Sequence, residues 1–286
     1  CEMCIRDRYF SILKGTEIHI YDCKKLTILR KFSFNDIISN IEWSPDSNLI
    51  LVSFSGKSNI CEVKSLDNPD WQCKIDEGVA GLSSCRWSPD SRRILTICEF
   101  NLRLTIWSLI DRTTNFINYP KYSDKGIAFT SNNFFMALAE RKESKDYIGL
   151  YYVSDWTLVS HFSVETYDLN DICFSKDDGE IIIWDSPLEC KFYVYSPTGN
   201  LIHKYQAYEL GLGIKSCVFS NNGRYLSIGY FDQSVRIFSQ LTWKLVTEFE
   251  HKPIINDENV VSLNLKSIFL RKMKQKLILI LVNLRK

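Results

Sequence analysis

Asn40-Ile-Glu-Trp-Ser-Pro-Asp-Ser47 returns almost unchanged as Ser84-Cys-Arg-Trp-Ser-Pro-Asp-Ser91. In each copy a short strand directs one tryptophan, Trp43 or Trp87, into an apolar core. Ser-Pro-Asp-Ser then ends the strand, because Pro fixes φ and the Asp and Ser side chains hydrogen-bond the local backbone. The two tryptophans lie 44 residues apart. A period of about 40–45 residues that is made of short strands predicts the blades of a β-propeller.

The same aromatic position recurs along the chain. Its occupants, which we call the anchors, follow one another at intervals of 44, 42, 45 and 45 residues: Trp43, Trp87, Phe129, Phe174 and Phe219. About 20 residues after each anchor comes another strand, which usually ends in an aromatic residue. We therefore predict an all-β, incomplete β-propeller with about five full four-stranded blades plus part of one. The predicted blades are 37–75, 82–119, 126–162, 169–206 and 214–249, after a partial blade at 9–32.

The two ends of the chain depart from this pattern. Residues 1–8 resemble a translated sequencing adapter and contain no strand period, so we expect them to be an artefact of library preparation. Blades are then expected over 9–256. Residues 257–286 form a basic, apolar tail without turn signals, which we expect to be non-native or disordered. The alternative is an amphipathic segment at a membrane or at a protein partner.

Charge and cysteine placement narrow the class of protein. The net charge is +1, and from Lys266 onward there are seven basic and no acidic residues, which leaves about −6 on the rest. A mildly acidic body argues against nucleic acid as a partner. The longest apolar run, Leu277–Val282, is far shorter than the roughly 20 residues that span a bilayer. Several of the ten cysteines fall in predicted strands, so we expect a reduced, intracellular protein.

The repeats resemble the WD40 family, although the Gly-His dipeptide that opens such repeats is absent and Asp22 alone follows an aromatic residue at the Trp-Asp position. The literal Trp184-Asp185 is expected to end the second strand of its blade instead of the third. Without the usual His and Asp, the hydrogen-bond network within each blade is in doubt, but the architecture is not.

Longer strings, such as Glu99–Ser108, Met136–Arg141 and Thr242–Phe249, resemble a centrosomal subfamily of WD-repeat proteins that is encoded antisense to a tumour-suppressor paralogue. The resemblance covers about residues 10 to 257. It implies a non-catalytic scaffold in the cytoplasm, at centrosomes, centriolar satellites and spindle poles, that supports microtubule minus-end anchoring, spindle assembly and ciliogenesis. The implied partners are a coiled-coil centrosomal anchoring protein and a microtubule motor. No cofactor, metal, nucleic acid or membrane is expected.

The loops that join strand d of one blade to strand a of the next (d–a), and strand b to strand c (b–c), share one face of a propeller. Here they are rich in charge, and rigid scaffolds often carry function on loops. The residues that we expect to contact a partner are Glu99, Arg103, Glu140, Arg141, Lys145, Asp146 and Glu209. Possible apolar contacts are Phe100, Tyr147, Tyr208 and Leu210. The alternative interpretation is ordinary solvated loop charge.

Two other functions stay open. One is a WD40 adaptor in another cytosolic assembly, such as translation-initiation or ubiquitin-ligase machinery. The other is a propeller hydrolase, for which Glu99, Glu140 and Asp185 are the candidate carboxylates. A hydrolytic pair must converge on one pocket, at a separation of about 5–10 Å.

Overall fold

The computed structural model describes residues 9–54, 59–68, 70–208 and 212–250, together with the backbone of 3–6. Within these ranges the chain forms six antiparallel sheets of four strands each, and every sheet is a simple meander. We number the sheets one to six along the chain and letter their strands a to d from first to last. The predicted all-β, propeller-like repeat is thereby confirmed.

In most sheets the b and c strands are largely buried and the d strand is largely exposed. The strands follow in chain order. In sheets one and two they are β1 (Met3–Arg6), β2 (Tyr9–Lys14), β3 (Glu17–Asp22), β4 (Ile28–Ser33), β5 (Ile38–Trp43), β6 (Leu49–Phe54), β7 (Ile60–Ser65) and β8 (Gln72–Asp76). In sheets three and four they are β9 (Ser84–Trp87), β10 (Arg93–Ile97), β11 (Arg103–Ser108), β12 (Thr114–Asn118), β13 (Ile127–Phe129), β14 (Phe135–Lys142), β15 (Lys145–Tyr152) and β16 (Leu158–Ser163). In sheets five and six they are β17 (Asp171–Phe174), β18 (Ile181–Trp184), β19 (Lys191–Tyr195), β20 (Leu201–Gln206), β21 (Ile214–Phe219), β22 (Tyr225–Tyr230), β23 (Ser234–Ser239) and β24 (Leu245–Glu250). Short 3-10 turns cover Gly78–Ala80 and Glu99–Asn101.

Each anchor is the last residue of its strand a. Trp43, Trp87 and Phe174 are buried, whereas Phe129 and Phe219 are half-buried. The three phenylalanine anchors line a cavity of about 340 Å³ between the a strands of sheets four, five and six, and Phe174 is the one of them that is buried. The anchor position is therefore equivalent in the five sheets, but its environment changes from closed core to cavity wall.

A hydroxyl residue follows every anchor and closes the a–b turn. The five are each no more than 5% exposed: Ser44, Ser88, Thr130, Ser175 and Ser220. In every turn the hydroxyl oxygen accepts the backbone N–H of the residue five positions on, at 2.9–3.0 Å. The hydroxyl also donates to an Asp or Asn side chain two positions on. The repeated Ser-Pro-Asp-Ser is thus one case of a turn that the whole fold reuses.

Five buried clusters hold the sheets together, and each lies between two successive sheets. Ile18 and Trp43 belong to the cluster between sheets one and two, and Trp184 and Phe238 belong to the one between sheets five and six. The other three clusters occupy the intervening interfaces. Among the described residues, no buried cluster joins sheet six to sheet one. This arrangement agrees with the predicted incomplete propeller.

Sheet one differs from the expected partial blade, because β1 supplies its strand a. Met3 to Arg6 pair antiparallel with Ile12 to Tyr9 of β2. Backbone hydrogen bonds need no particular side chains, so this strand has no signature in the anchor repeat.

Trp184 ends β18, the second strand of sheet five, as expected for the Trp-Asp pair that lies outside the repeat position. Residues 257–286 lie outside the described part of the chain.

We predict that Ser175→Ala destabilises the fold by about 1–3 kcal/mol, because a buried N–H and a carboxylate then lose their partner. The Ser175 hydroxyl donates to Asp177 at 2.5 Å and accepts from the Glu180 N–H at 2.9 Å. The hydrogen bond that the Ser175 hydroxyl donates to Asp177 is the main cause that lowers the pKa of Asp177. The substitution should therefore return that pKa toward 3.8. Urea unfolding and an NMR titration measure the two effects.

The matched control is Ser154→Ala, at an exposed serine in a c–d loop. Its free energy of unfolding should stay within about 0.5 kcal/mol of the wild-type value. Equal losses in the two variants would contradict the role given to the buried hydroxyl.

Candidate functional site

The d–a and b–c loops meet at one end of the sheets, which we call the d–a/b–c face. The a–b and c–d loops form the opposite end. Among the seven predicted contact residues, Glu140, Arg141, Lys145 and Asp146 belong to the hairpin of β14 and β15, whose register pairs Arg141 with Asp146. Within this hairpin Glu140 and Asp146 are buried, whereas Arg141 and Lys145 are exposed.

Glu140 points into sheet four and is only 7% exposed. One of its carboxylate oxygens accepts the Tyr151 hydroxyl at 2.6 Å, and the other lies 3.1 Å from Nε2 of His161. Burial raises the pKa of Tyr151, and the bond to Glu140 raises it further. His161 stacks on Tyr147 with 5.0 Å between the ring centroids. Glu140 therefore ties three strands of one sheet together.

Asp146 belongs to a buried charge network that joins sheets four and five. Lys121, from the d–a loop before sheet four, places its ammonium 2.7 Å from Asp146, from Asp168 and from the Leu169 carbonyl oxygen. Arg141 reaches Asp168 at 2.6 Å. Burial alone would raise the pKa of Asp168, but Lys121 and Arg141 outweigh it and hold that pKa below 3.8. The network fixes two neighbouring d–a loops.

A second buried network rigidifies sheet three. The Trp107 indole N–H donates to Thr96 Oγ1 at 2.8 Å, and the Thr96 hydroxyl donates to Glu77. Glu77 comes from the preceding d–a loop, is 5% exposed and also pairs with Arg103 at 3.2 Å. The sequence left such a network in doubt because the usual His and Asp are missing. In sheet three the carboxylate of Glu77 provides the connection instead.

The remaining predicted contact residues are more accessible. Glu99 is exposed in the 3-10 turn of a b–c loop, and Lys145 is exposed at the tip of its hairpin. Arg103 is half-buried, with its guanidinium 4.9 Å from the centroid of the Phe116 ring. Glu209 and Leu210 lie outside the described residues.

Large apolar side chains are exposed on the d–a/b–c face. Of the most exposed ones, only Phe100 was predicted from the sequence as a contact. Phe100 is 88% exposed, and its φ of 60° and ψ of 15° are left-handed, which is uncommon for a bulky residue. Tyr167 and Leu188 are 83% and 76% exposed. Others on these loops are Ile37, Val79, Leu102, Tyr119, Leu212 and Phe231. Because these exposed apolar side chains share the loops of one face, that face is a candidate interaction surface.

The candidate catalytic carboxylates have structural partners or stand in solvent. Asp185 is fully buried and accepts the backbone N–H groups of Tyr167, Asp168 and Ser186 at 2.8–2.9 Å. Across the described ranges, no three His, Cys, Asp or Glu side chains are placed to hold a metal ion. No helix in the described part of the chain is long and apolar enough to cross a membrane.

Comparison with known proteins agrees with this geometry. The model of the WD domain, G-beta repeat, matches residues 199–239, which run from the c–d turn of sheet five through strand c of sheet six. A mouse WD repeat-containing protein, WRAP73, is 40% identical over 261 residues, which are 91% of this chain. The chain therefore contains a WD40 repeat and has the fold of a β-propeller. An uncharacterized WD repeat-containing protein of Schizosaccharomyces pombe is 27% identical over 185 residues, or 63% of this chain.

The chain spans 56% of the mouse relative and 37% of the yeast relative. Among solved structures, the β-propeller domain of Cps50 (Swd1) from Myceliophteria thermophila superposes with a TM-score of 0.56 at 11% identity. The match covers 86% of this chain and 84% of that domain. At this identity the likeness concerns the fold alone.

We predict that Lys121→Met destabilises the fold by about 3–5 kcal/mol, because the buried Asp146 carboxylate loses its closest cation and keeps only Arg141, at 3.8 Å. The pKa of Asp168 is lowered in the folded state, so the stability it adds is present above about pH 4 and is lost as the pH falls through the lowered pKa. The difference between variant and wild type should therefore shrink at pH 3. Urea unfolding at pH 7 and pH 3 measures it.

Lys145→Met, on the same hairpin but exposed, serves as the control and should change the free energy of unfolding by less than about 0.5 kcal/mol. If Lys121→Met is no more destabilising than this control, the network does not hold the loops.

Proposed function

We propose that this propeller is a non-catalytic scaffold that docks protein partners on its d–a/b–c face at centrosomes, centriolar satellites and spindle poles. The observation that carries the proposal is the exposed apolar set headed by Phe100, Tyr167 and Leu188. These side chains stand on loops whose backbones are held by buried polar networks. Preorganised loops lower the entropy cost of binding, and aromatic residues at such positions are typical binding hot spots.

The assignment to centrosomes rests on the strings that resemble the centrosomal WD-repeat subfamily. Two of them, Glu99–Ser108 and Met136–Arg141, lie in or beside b–c loops of this face. A coiled-coil anchoring protein and a microtubule motor are the proposed partners. Exposed Glu99 and Lys145 suit the polar rim of such an interface, where charge sets specificity and encounter rate.

The test replaces Phe100, Tyr167 and Leu188 together by serine in the fluorescently tagged protein in dividing cells. We expect the spindle-pole signal to disappear and proximity labelling of centrosomal proteins to fall at least tenfold. The matched control replaces Leu26, Ile110 and Leu241 by serine, since these residues are as exposed but lie in c–d loops on the opposite face.

Equal pole localisation in both triple variants would rule out this face. Labelling by the wild-type protein of translation-initiation or ubiquitin-ligase components, without centrosomal ones, would favour the alternative adaptor function. Thermal unfolding of the purified variants checks that neither triple substitution acts by lowering stability.

A further inference from the structure

A groove of about 420 Å³ lies at the rim of the propeller between sheets two and three. The c–d turn of sheet three, which lies at the end opposite the d–a/b–c face, forms part of its wall. Its lining comes from residues 71–75 of sheet two and from residues 107–109 and 112–114 of sheet three. Trp71 and Trp107 are half-buried in this lining, and Ile75 is buried.

The c–d turns of sheets three, four and six share one backbone geometry. In each turn, one backbone hydrogen bond joins the end of strand c to a carbonyl group just before strand d. The residue directly before that carbonyl's residue has a left-handed backbone, with φ of 54° at Arg112, 61° at Trp156 and 52° at Trp243. The closing bonds, from the last residues of strand c, measure 2.9–3.0 Å. Arg112 therefore occupies the position that tryptophan occupies in sheets four and six.

In sheets four and six this tryptophan seals the rim against the preceding sheet. Trp156 is 8% exposed and belongs to the core between sheets three and four. Trp243 is 5% exposed, stacks on His203 at 6.4 Å and lies 6.2 Å from Phe192 between ring centroids. The chain thus uses its own indole rings to fill two interfaces of this kind.

Sheet three leaves the corresponding space open. Arg112 is exposed. Sheets five and two can be aligned by counting paired residues from their anchors. In this alignment Phe192 of sheet five corresponds to Cys61 of sheet two, and His203 corresponds to Cys73. Thiols are much smaller than aromatic rings. The groove results from these small side chains together with the arginine in place of tryptophan.

We propose that this groove binds an extended segment of a partner protein, which inserts a tryptophan between Trp71 and Trp107 and carries an acidic residue beside it. The inserted indole would occupy the site that Trp156 and Trp243 occupy elsewhere, with the aromatic contacts that such rings favour. Arg112 lines the groove and is exposed, so a carboxylate next to the indole meets the charge of its guanidinium. Lys74 also lines the groove, but its ammonium already lies 3.3 Å from the Glu62 carboxylate.

The backbone of sheet two offers a further contact. Within the described ranges, β8 pairs with β7 on one side only, so its outer edge presents unpaired backbone groups. An extended segment along that edge gains main-chain hydrogen bonds, while its alternate side chains enter the groove. This surface is separate from the d–a/b–c face, so the proposal does not depend on the proposed function.

Fluorescence polarisation on the full chain tests the proposal. The probe is a fluorescein-labelled octapeptide with one tryptophan between two glutamates in a serine and valine background. We expect saturable binding to the wild type, and at least tenfold weaker binding when the peptide's tryptophan is replaced by alanine or its glutamates by lysine. Arg112→Trp should reduce binding at least tenfold and unfold at or above the wild-type temperature, because its own indole fills the groove.

Leu26→Trp is the matched control, since Leu26 has the same left-handed turn position in sheet one and should bind the peptide as the wild type does. If Arg112→Trp does not fold, Cys73→Phe fills the groove from its floor and carries the same expectation. Unchanged affinity in a folded, groove-filled variant would overturn the proposal, as would the absence of saturable binding by the wild type.

Discussion

A buried hydroxyl that directly follows each anchor is the interaction on which the repeat depends. It links the end of strand a to the start of strand b through one donated and one accepted hydrogen bond in each of five turns. Neighbouring turns then bond to one another: the Asp46 N–H donates to Ser91 Oγ at 2.9 Å, and the Ser131 N–H donates to Asp178 at 2.6 Å. The a–b turns are therefore uniform, and they are linked between sheets two and three and between sheets four and five.

Among the described residues, the loops of the opposite end show no such repeat, and several are held by different partners. Glu77, Lys121 and Asp185 each fix loop backbone or strand ends from a buried position. Because every network differs, each loop can present a different side chain to solvent at a defined place. Rigid scaffolds often carry function on loops that vary in this way.

The anchor period was sufficient to predict a series of four-stranded sheets, because turn chemistry is a local property. It missed strand a of sheet one, which has no anchor. The contacts of the d–a/b–c face were less accessible to sequence reasoning. Lys121 meets partners 25 and 47 residues away, and no local pattern distinguishes it from a solvated lysine. For the same reason Glu140 resembled a surface charge although it is buried. The partner-binding roles of all seven residues stay predictions: Glu99, Arg103, Glu140, Arg141, Lys145, Asp146 and Glu209.

Burial was also hard to predict for loop aromatics. Phe100 and Trp156 both follow strand ends and both adopt positive φ, yet one is 88% exposed and the other 8%. Packing against a neighbouring sheet decides between the two outcomes, and that neighbour is distant in sequence. The sequence signal for the docking face was therefore charge, whereas the structural signal is apolar exposure.

Site-specific photo-crosslinking tests the docking face most directly. A benzoylphenylalanine placed at Phe100 in the tagged protein of mitotic cells should form covalent adducts with centrosomal proteins, because this side chain stands at the centre of the proposed interface. The same group at Leu241, on the opposite face and 91% exposed, should form none of these adducts. Centrosomal adducts from position 241 but not from position 100 would contradict the account.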